Sequence, residues 1–313
     1  MALGHSVDEI TVFAPATVAN LGLGFDILGL AVREPGDTVT ARRVEGDEVV
    51  ISAITGDDGK LPLEASRNTA GIAVIETLKA AGTTAGIEIE LHKSMPLGSG
   101  LGSSAASAAA AALATNLLLG GPLRKQQLVT PCIEAEAAVA GRHADNVGPA
   151  LLGGLLLIRS VEPLDIIRLP IPDGLTVVVV TPEYELLTRD ARQALPDQVS
   201  LGDLVRNTAN IAALVSACHS GDLSLMSRCV PDEVVTPRRA ALIPGGPQVI
   251  AAALEAGALG SSISGSGPSI FALCHSPRCA EEVGGAMVEA FHQAEMQAVS
   301  VISPADCPGA RPL

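Results

Sequence analysis

The chain has no tryptophan, one tyrosine and four phenylalanines. With aromatics at only 2% of 313 positions, its core has to be built from Ala, Leu, Val and Ile. A hydrophobic share of 48% nevertheless marks a globular chain and excludes disorder, and the length suits two domains or one large one. Positive charge is also scarce: 20 Lys and Arg face 34 Asp and Glu, a formal charge of −14. Such a surface repels a phosphate backbone, which argues against nucleic acid as a partner. An anionic ligand would need local help from helix N-termini, a few Arg or Lys, or a metal. No C-x-x-C occurs among Cys132, Cys218, Cys229, Cys274, Cys279 and Cys307. Their irregular gaps fit neither a zinc ribbon nor a disulfide framework, leaving reduced core thiols of a cytoplasmic protein. No Lys or Arg precedes Arg33, so neither a secretory signal nor a transit peptide is expected. The longest apolar run, residues 101–121, is broken by Gly102, Asn116 and several Ser and Thr, which favours a packed helix over a membrane span.

Acidic residues are missing altogether from Leu91 to Ile133, and inside that gap lies "PLGSGLGSSAASAAAAALATNLLLGG". Gly98 to Ser104 holds three glycines and three serines, placed between the strand pattern "IEIELHK" and a long Ala-rich helix pattern. Free N–H groups and about half a unit of positive dipole charge converge at such a helix start, so the loop reads as an anion site. Glycine lets the backbone approach a phosphate, and the serine hydroxyls add donors or a metal ligand. There is no G-K-[ST], the spacing is G-x-G-x-G, and no acid follows about 20 residues on, so Walker A and dinucleotide-binding readings both fail. A Gly-rich turn feeding a buried helix would explain the loop if it stood alone.

Three further clusters accompany it. "APATVANLGLGFDILGLAV" sets Asn20 and Asp26 among glycines, where they could also cap turns. "EAEAAVAGRHADNVGPALLGG" brings His143, Asp145 and Asn146 within four residues, behind Glu134 and Glu136, the first acids after the gap. One of those glutamates could reach a Mg²⁺ on loop-bound phosphates, because that ion prefers hard oxygen ligands. "GSSISGSGPSIFALC" is a second Gly-rich turn, but a strand follows it, which suggests a packing wall. His5, His92, His219, His275 and His292 occupy unrelated surface or core contexts.

Periodicity predicts strands at 9–13, 37–43, 48–54 and 87–92, and helices at 68–81, 101–119 and 123–140. A strand is expected behind the Gly pair of 148–158, then a boundary at the prolines that follow, separating 1–162 from 163–313. The second half offers strands at 175–181 and 298–302, extended segments at 260–263 and 269–274, and helices at 201–219, 223–229, 248–256 and 280–294. Mixing without strict alternation is α+β.

Taken together, "PLGSGLGSSAA", "VFAPATVANLGLGFDILG", "RHADNVGPALLGG" and "GSSISGSGPSIFAL" resemble the motifs of the GHMP kinases. "TRDARQALP" and "PRRAALIPG" resemble the homoserine kinase branch. The resemblance spans nearly the whole chain. It implies an α+β protein of two domains, an N-terminal half like domain 2 of ribosomal protein S5 and a C-terminal ferredoxin-like α/β sandwich, acting on L-homoserine with ATP and Mg²⁺ as a homodimer. On this resemblance ATP lies over Pro96, Leu97, Gly98, Ser99, Gly100, Leu101, Gly102, Ser103, Ser104, Ala105 and Ala106, flanked by Asn68 and Lys93. Mg²⁺ sits between Ser104 and Glu136, with Glu134 still open as the carboxylate. Arg192 and Arg239 take the substrate carboxylate, with Arg189 and Arg238 as adjacent alternatives, and Asp26 takes the ammonium. Asn146 orients the hydroxyl, while Asn20, His143 and Asp145 shape the pocket. Phosphoryl transfer is expected to run in line without a dedicated base.

Overall fold

The computed structural model describes residues 8–139 and 141–313. In chain order the elements are β1 (Glu9–Ala19), β2 (Leu28–Val44), β3 (Val49–Thr55), α1 (Thr69–Ala80), β4 (Gly86–His92), α2 (Ser103–Leu118), α3 (Val129–Ala137), α4 (Val147–Leu152), β5 (Leu155–Val161) and β6 (Leu164–Leu169). The second half continues with β7 (Thr176–Pro182), α5 (Thr188–Gln193), α6 (Leu201–Ser220), α7 (Leu223–Cys229), α8 (Thr236–Ala240), α9 (Gly246–Glu255), β8 (Gly260–Ile263), β9 (Ile270–Cys274), α10 (Pro277–Gln293), β10 (Ala298–Pro304) and β11 (Arg311–Pro312).

Two sheets organise these elements, as an α+β arrangement requires. A seven-stranded sheet runs β11-β1-β2-β4-β3, and β2 is long enough to pair β5 near its start and β4 near its end. Only β3 and β4 run parallel in it. A four-stranded antiparallel sheet runs β10-β7-β9-β8, with Phe271 and Phe291 fully buried beside it. The scarcity of aromatics is met as the composition demands: α2 buries eight alanines along one rod, so α1, α3, α4 and the first sheet can all pack against it. All six cysteines are buried free thiols, and no helix among the described residues is long and apolar enough to cross a membrane.

Several expected elements take a different form. The strand expected behind the Gly pair is β5, but the residues in front of the pair form the short helix α4, because the apolar run is largely buried and its period cannot separate helix from strand. The β5–β6 hairpin crosses Glu162–Pro163, the position expected for the domain boundary, so the first sheet continues to Leu169. The helix expected over 123–140 reduces to a 3-10 turn at Lys125–Leu128 followed by α3; Ala140 and His5 lie outside the described residues.

One buried ion pair joins three elements beneath α2. Lys93, at the end of β4, pairs with Asp37 of β2, and both side chains are almost fully buried. The same ammonium donates to the Ser103 carbonyl at 2.8 Å and to Ser107 Oγ at 2.6 Å, in the first turns of α2. Asp37 in turn accepts from Ser94 N and Ser107 Oγ, both at 3.0 Å. Burial draws the Lys93 pKa down, and the Asp37 carboxylate opposes that shift. Removing one partner leaves the other uncompensated, so Asp37→Ala should cost about 3–5 kcal/mol. It should lower the urea midpoint without changing the m-value, and Asp37→Leu with Lys93→Met should restore most of the loss. An unchanged midpoint for Asp37→Ala would show that the pair does not hold this corner together.

Candidate active site

The loop from Pro96 to Gly102 delivers the chain into α2 with its helix end open. Gly102, the N-cap, sits at φ 67° and offers no side chain to the first-turn N–H groups, and no acid follows in that turn. Glycine is required there, since a Cβ would stand 2.1 Å from Thr17 Oγ1 and 2.8 Å from Asn146 Oδ1. Gly29 serves the facing loop in the same way: a Cβ would come within 1.8 Å of the Asp145 carbonyl. Thr17 clamps both sides: its amide donates to Leu101 O at 2.9 Å, and its hydroxyl donates to Asn146 Oδ1 at 2.7 Å.

A cleft of about 930 Å³ opens over this helix end. It gathers Leu97, Gly98, Ser99, Gly100, Gly102, Ser103 and Ser104 of the loop with Glu136, His143, Asp145 and Asn146, and with Asn20, Asp26, Arg192 and Arg239. A second cavity of about 1220 Å³ shares Leu97, Gly98 and Ser104 with it and holds Asn68 and Lys93. Pro96, Leu101, Ala105 and Ala106 line neither: Pro96 is exposed, and the other three pack inward. Asn68 and Lys93 also have structural duties. Asn68 caps α1 through Ala70 N at 3.0 Å and donates to Pro62 O at 3.0 Å, and Lys93 is held by Asp37.

Unsatisfied atoms mark where a ligand belongs. Among the described residues, four buried side-chain oxygens lack a hydrogen-bond partner, and three of them, Ser99 Oγ, Glu136 Oε1 and Asp145 Oδ1, line this cleft. Burial raises the Glu136 pKa against the pull of a hydrogen bond with Ser104 and the charge of Lys93. A serine hydroxyl beside a carboxylate with a free oxygen is a hard-oxygen donor set that fits Mg²⁺, with phosphate oxygens and water able to complete the shell. Glu134 points elsewhere, into a surface pair with Arg142 at 2.8 Å, which leaves Glu136 as the carboxylate facing the loop. Burial, reinforced by the charge of Asp26, pushes Asp145 up to about 7.

At the far end of the cleft, charges of both signs meet. The turn from β1 to β2 holds Asn20, Leu21 and Asp26 at positive φ, a strained path concentrated beside the cleft. Asn20 fastens it, accepting from Asp26 N at 3.0 Å and donating to Gly265 O at 3.0 Å. Arg192 Nη2 donates to both Asp26 oxygens, at 3.1 and 3.2 Å, and to His143 Nε2 at 3.1 Å. Burial holds the His143 pKa below its ordinary value, so a neutral ring accepts from Arg192 and turns Nδ1 toward Asp26 at 3.5 Å. Arg239 is buried, donates to Ala191 O and Gly265 O, and is brought down to about 10 by burial and by Arg192, so it stays charged at neutral pH. Both guanidinium groups lie over the Phe25 ring, 5.3 and 5.1 Å from its centroid. The alternatives fall away from this cleft: Arg189 is exposed beside Asp190, and Arg238 bonds Val234 O.

Thr17, Phe25, Thr188, Gly265 and Ser266 belong to the cleft or its support but were not expected. The segment 260–274, expected as a wall, does pack, yet Gly265 O also receives Asn20 and Arg239 and Ser266 faces the opening. Only its run of Gly and Ser could have signalled this.

Comparison with known proteins agrees with the geometry. The model for the GHMP kinases N terminal domain matches residues 68–154 and that for the GHMP kinases C terminal matches 214–293. A homoserine kinase of Chlorobium phaeovibrioides is 48% identical over 290 residues, covering 89% of this chain and 91% of its own. One from Arabidopsis thaliana is 47% identical over 311 residues, covering 97% and 84%. The crystal structure of homoserine kinase from Cytophaga hutchinsonii superimposes with a TM-score of 0.97 at 46% identity and full coverage of both chains. The chain therefore belongs to the GHMP kinases, and within them to the homoserine kinase family.

Proposed function

We propose that this chain transfers the γ-phosphoryl group of ATP to the side-chain hydroxyl of L-homoserine, yielding O-phospho-L-homoserine and ADP. The observation that carries the substrate reading is the Arg192–Asp26 ion pair beside the open end of α2. Homoserine brings a carboxylate, an ammonium and a primary hydroxyl. Its carboxylate can replace Asp26 as the partner of Arg192, with Arg239 as the second fork, and its ammonium can replace Arg192 as the partner of Asp26. A zwitterion exchanges both charges at once, whereas a simple hydroxy acid would leave Asp26 unpaired and a neutral sugar would leave both groups so. His143 and Asn20 keep the two groups in place during the exchange.

The hydroxyl then faces the loop near Asn146, whose Oδ1 is already fixed by Thr17. Ser104 and Glu136 would hold Mg²⁺, which supplies charge neutralisation on the phosphates. Backbone N–H groups of the loop and of α2 bind phosphate oxygens, and the larger neighbouring cavity accommodates the base and ribose. Positioning and electrostatics carry such a transfer, and the attacking hydroxyl needs no strong base. The orphaned Asp145 Oδ1 favours a second reading, in which this carboxylate accepts the hydroxyl proton. A homodimer, as the resemblance implies, is part of the proposal, and light scattering at twice the chain mass would support it.

ADP release measured across homoserine, mevalonate and galactose should show turnover with homoserine alone. Arg192→Gln should raise KM for homoserine by about 10- to 100-fold while KM for ATP stays put, and Glu136→Ala should lower kcat by roughly 10²–10³-fold. If Arg239→Ala and Glu136→Ala both kept wild-type turnover, this cleft would not be the catalytic one.

Asp145→Asn separates the two readings of that residue. Turnover within about tenfold of wild type supports transfer without a base, and a loss of several orders with homoserine binding intact assigns the base role to Asp145. The same variant reports stability. Between an unfolded pKa near 4 and the folded value of about 7, only the folded state holds the proton. Stability thus falls as pH rises through that window. Asp145→Asn should accordingly raise the free energy of unfolding at pH 8 by up to about 3–4 kcal/mol, read from urea unfolding, with the gain fading toward pH 4. A gain that does not change with pH would rule out this titration.

A further inference from the structure

We infer that the cavity between the 3-10 turn at Lys125–Leu128 and the β5–β6 hairpin is a second anion site, one that takes a small aliphatic oxyanion carrying no ammonium group. The cavity is about 900 Å³ and shares no lining residue with either part of the catalytic cleft. Lys125, Gln126 and Arg168 stand at its polar edge. Lys125 is half-buried and gives one hydrogen bond to Ala310 O at 2.6 Å; Arg168 gives one to Leu152 O at 2.6 Å. Arg311 lies close enough to add its charge, stacked on Phe13 with its guanidinium carbon 4.5 Å from the ring centroid. None of these three cations forms a salt bridge among the described residues, and Asp165, the carboxylate at the rim, is engaged by Arg159.

Two cations lining one hollow without a salt bridge, Lys125 and Arg168, with Arg311 near enough to add its charge, are out of keeping with a chain of charge −14. Their mutual repulsion, together with the burial that draws the Lys125 pKa down, is relieved when an anion enters. Lys125 keeps two N–H donors and Arg168 four after the bonds they already make, enough to bracket a carboxylate or phosphate head. The floor defines the rest of the ligand: Leu152, Leu156, Leu164 and Ile166 present aliphatic surface and no aromatic ring. An ammonium would meet the repulsion of Lys125, Arg168 and Arg311, with only Asp165, already paired with Arg159, to answer it, which disfavours an amino-acid zwitterion and sets this site apart from the Arg192–Asp26 end of the catalytic cleft.

Calorimetric titration of the intact protein with isovalerate, n-butyl phosphate and inorganic phosphate tests the inference. The first two should bind with Kd of about 1 mM or tighter, and inorganic phosphate should bind more weakly because it leaves the aliphatic floor uncovered. The catalytic loop also attracts phosphate oxygens, so the binding that counts is the part lost in the Lys125→Met/Arg168→Gln variant, which should be weakened roughly tenfold or more. Unchanged ATP affinity in that variant confirms an intact fold. Arg168→Gln alone, at an exposed side chain, is the second variant should the double replacement destabilise the chain. Three outcomes would overturn the inference: no saturable binding of either organic anion, binding unaltered by the substitutions, or inorganic phosphate binding as tightly as its butyl ester.

Discussion

The Lys93–Asp37 pair fixes where the first turn of α2 begins, and the site is built outward from that point. Asp37 comes from the middle of β2, Lys93 from the end of β4, and the ammonium reaches the Ser103 carbonyl and Ser107 Oγ in the helix. Two paired strands and a helix are thereby locked at one corner, and the loop of residues 94–102 has to close between fixed ends. The closure leaves the helix N-terminus uncapped, an arrangement costly in isolation and suited to a ligand rich in anionic oxygens. Net charge works against such a ligand over most of the surface, so the local dipole, the amides and the arginines must overcome it over a short range.

Opposite charges paired across packed elements set the other end of the cleft. Asp26 sits on a strained turn, Arg192 on α5 and Arg239 on α8, and Phe25 lies beneath both guanidinium groups. The Arg192–Asp26 contact satisfies both groups before substrate arrives, so neither stands as an unpaired charge in a half-enclosed space. Exchange for a zwitterion would replace this one contact by two and leave neither group unpaired. Selectivity then follows from the penalty of breaking the contact without replacing both of its halves.

Much of this was legible in the residues themselves. Gly98 to Ser104 could be read as a phosphate loop because acids vanish around it and glycine recurs where backbone must approach a ligand. Asn20, Asp26, His143, Asp145 and Asn146 stood out as polar residues within apolar text, and the cleft brings them together. Arg192 and Arg239 came from the family pattern, since nothing in their spacing reveals that α5 and α8 meet over Phe25. Harder to read were elements set by burial. Residues 147–152 form a helix inside an apolar run that periodicity cannot resolve, and β6 hides between prolines because its partner is only one turn away. Thr17 and Gly265 act through one hydroxyl and one carbonyl, which leave no trace in composition.

The alanine rod has a mechanical consequence. Eight of the sixteen residues of α2 are alanines, and all eight are buried, so at half of its positions the helix has no side-chain rotamers to rearrange. Strain imposed at the open end of the helix therefore cannot be absorbed by rotamer changes in those alanines. The positive-φ glycines Gly98, Gly100 and Gly102 lie in the loop in front of it, so a stiff strut is entered through the segment whose residue type has the widest choice of backbone conformation.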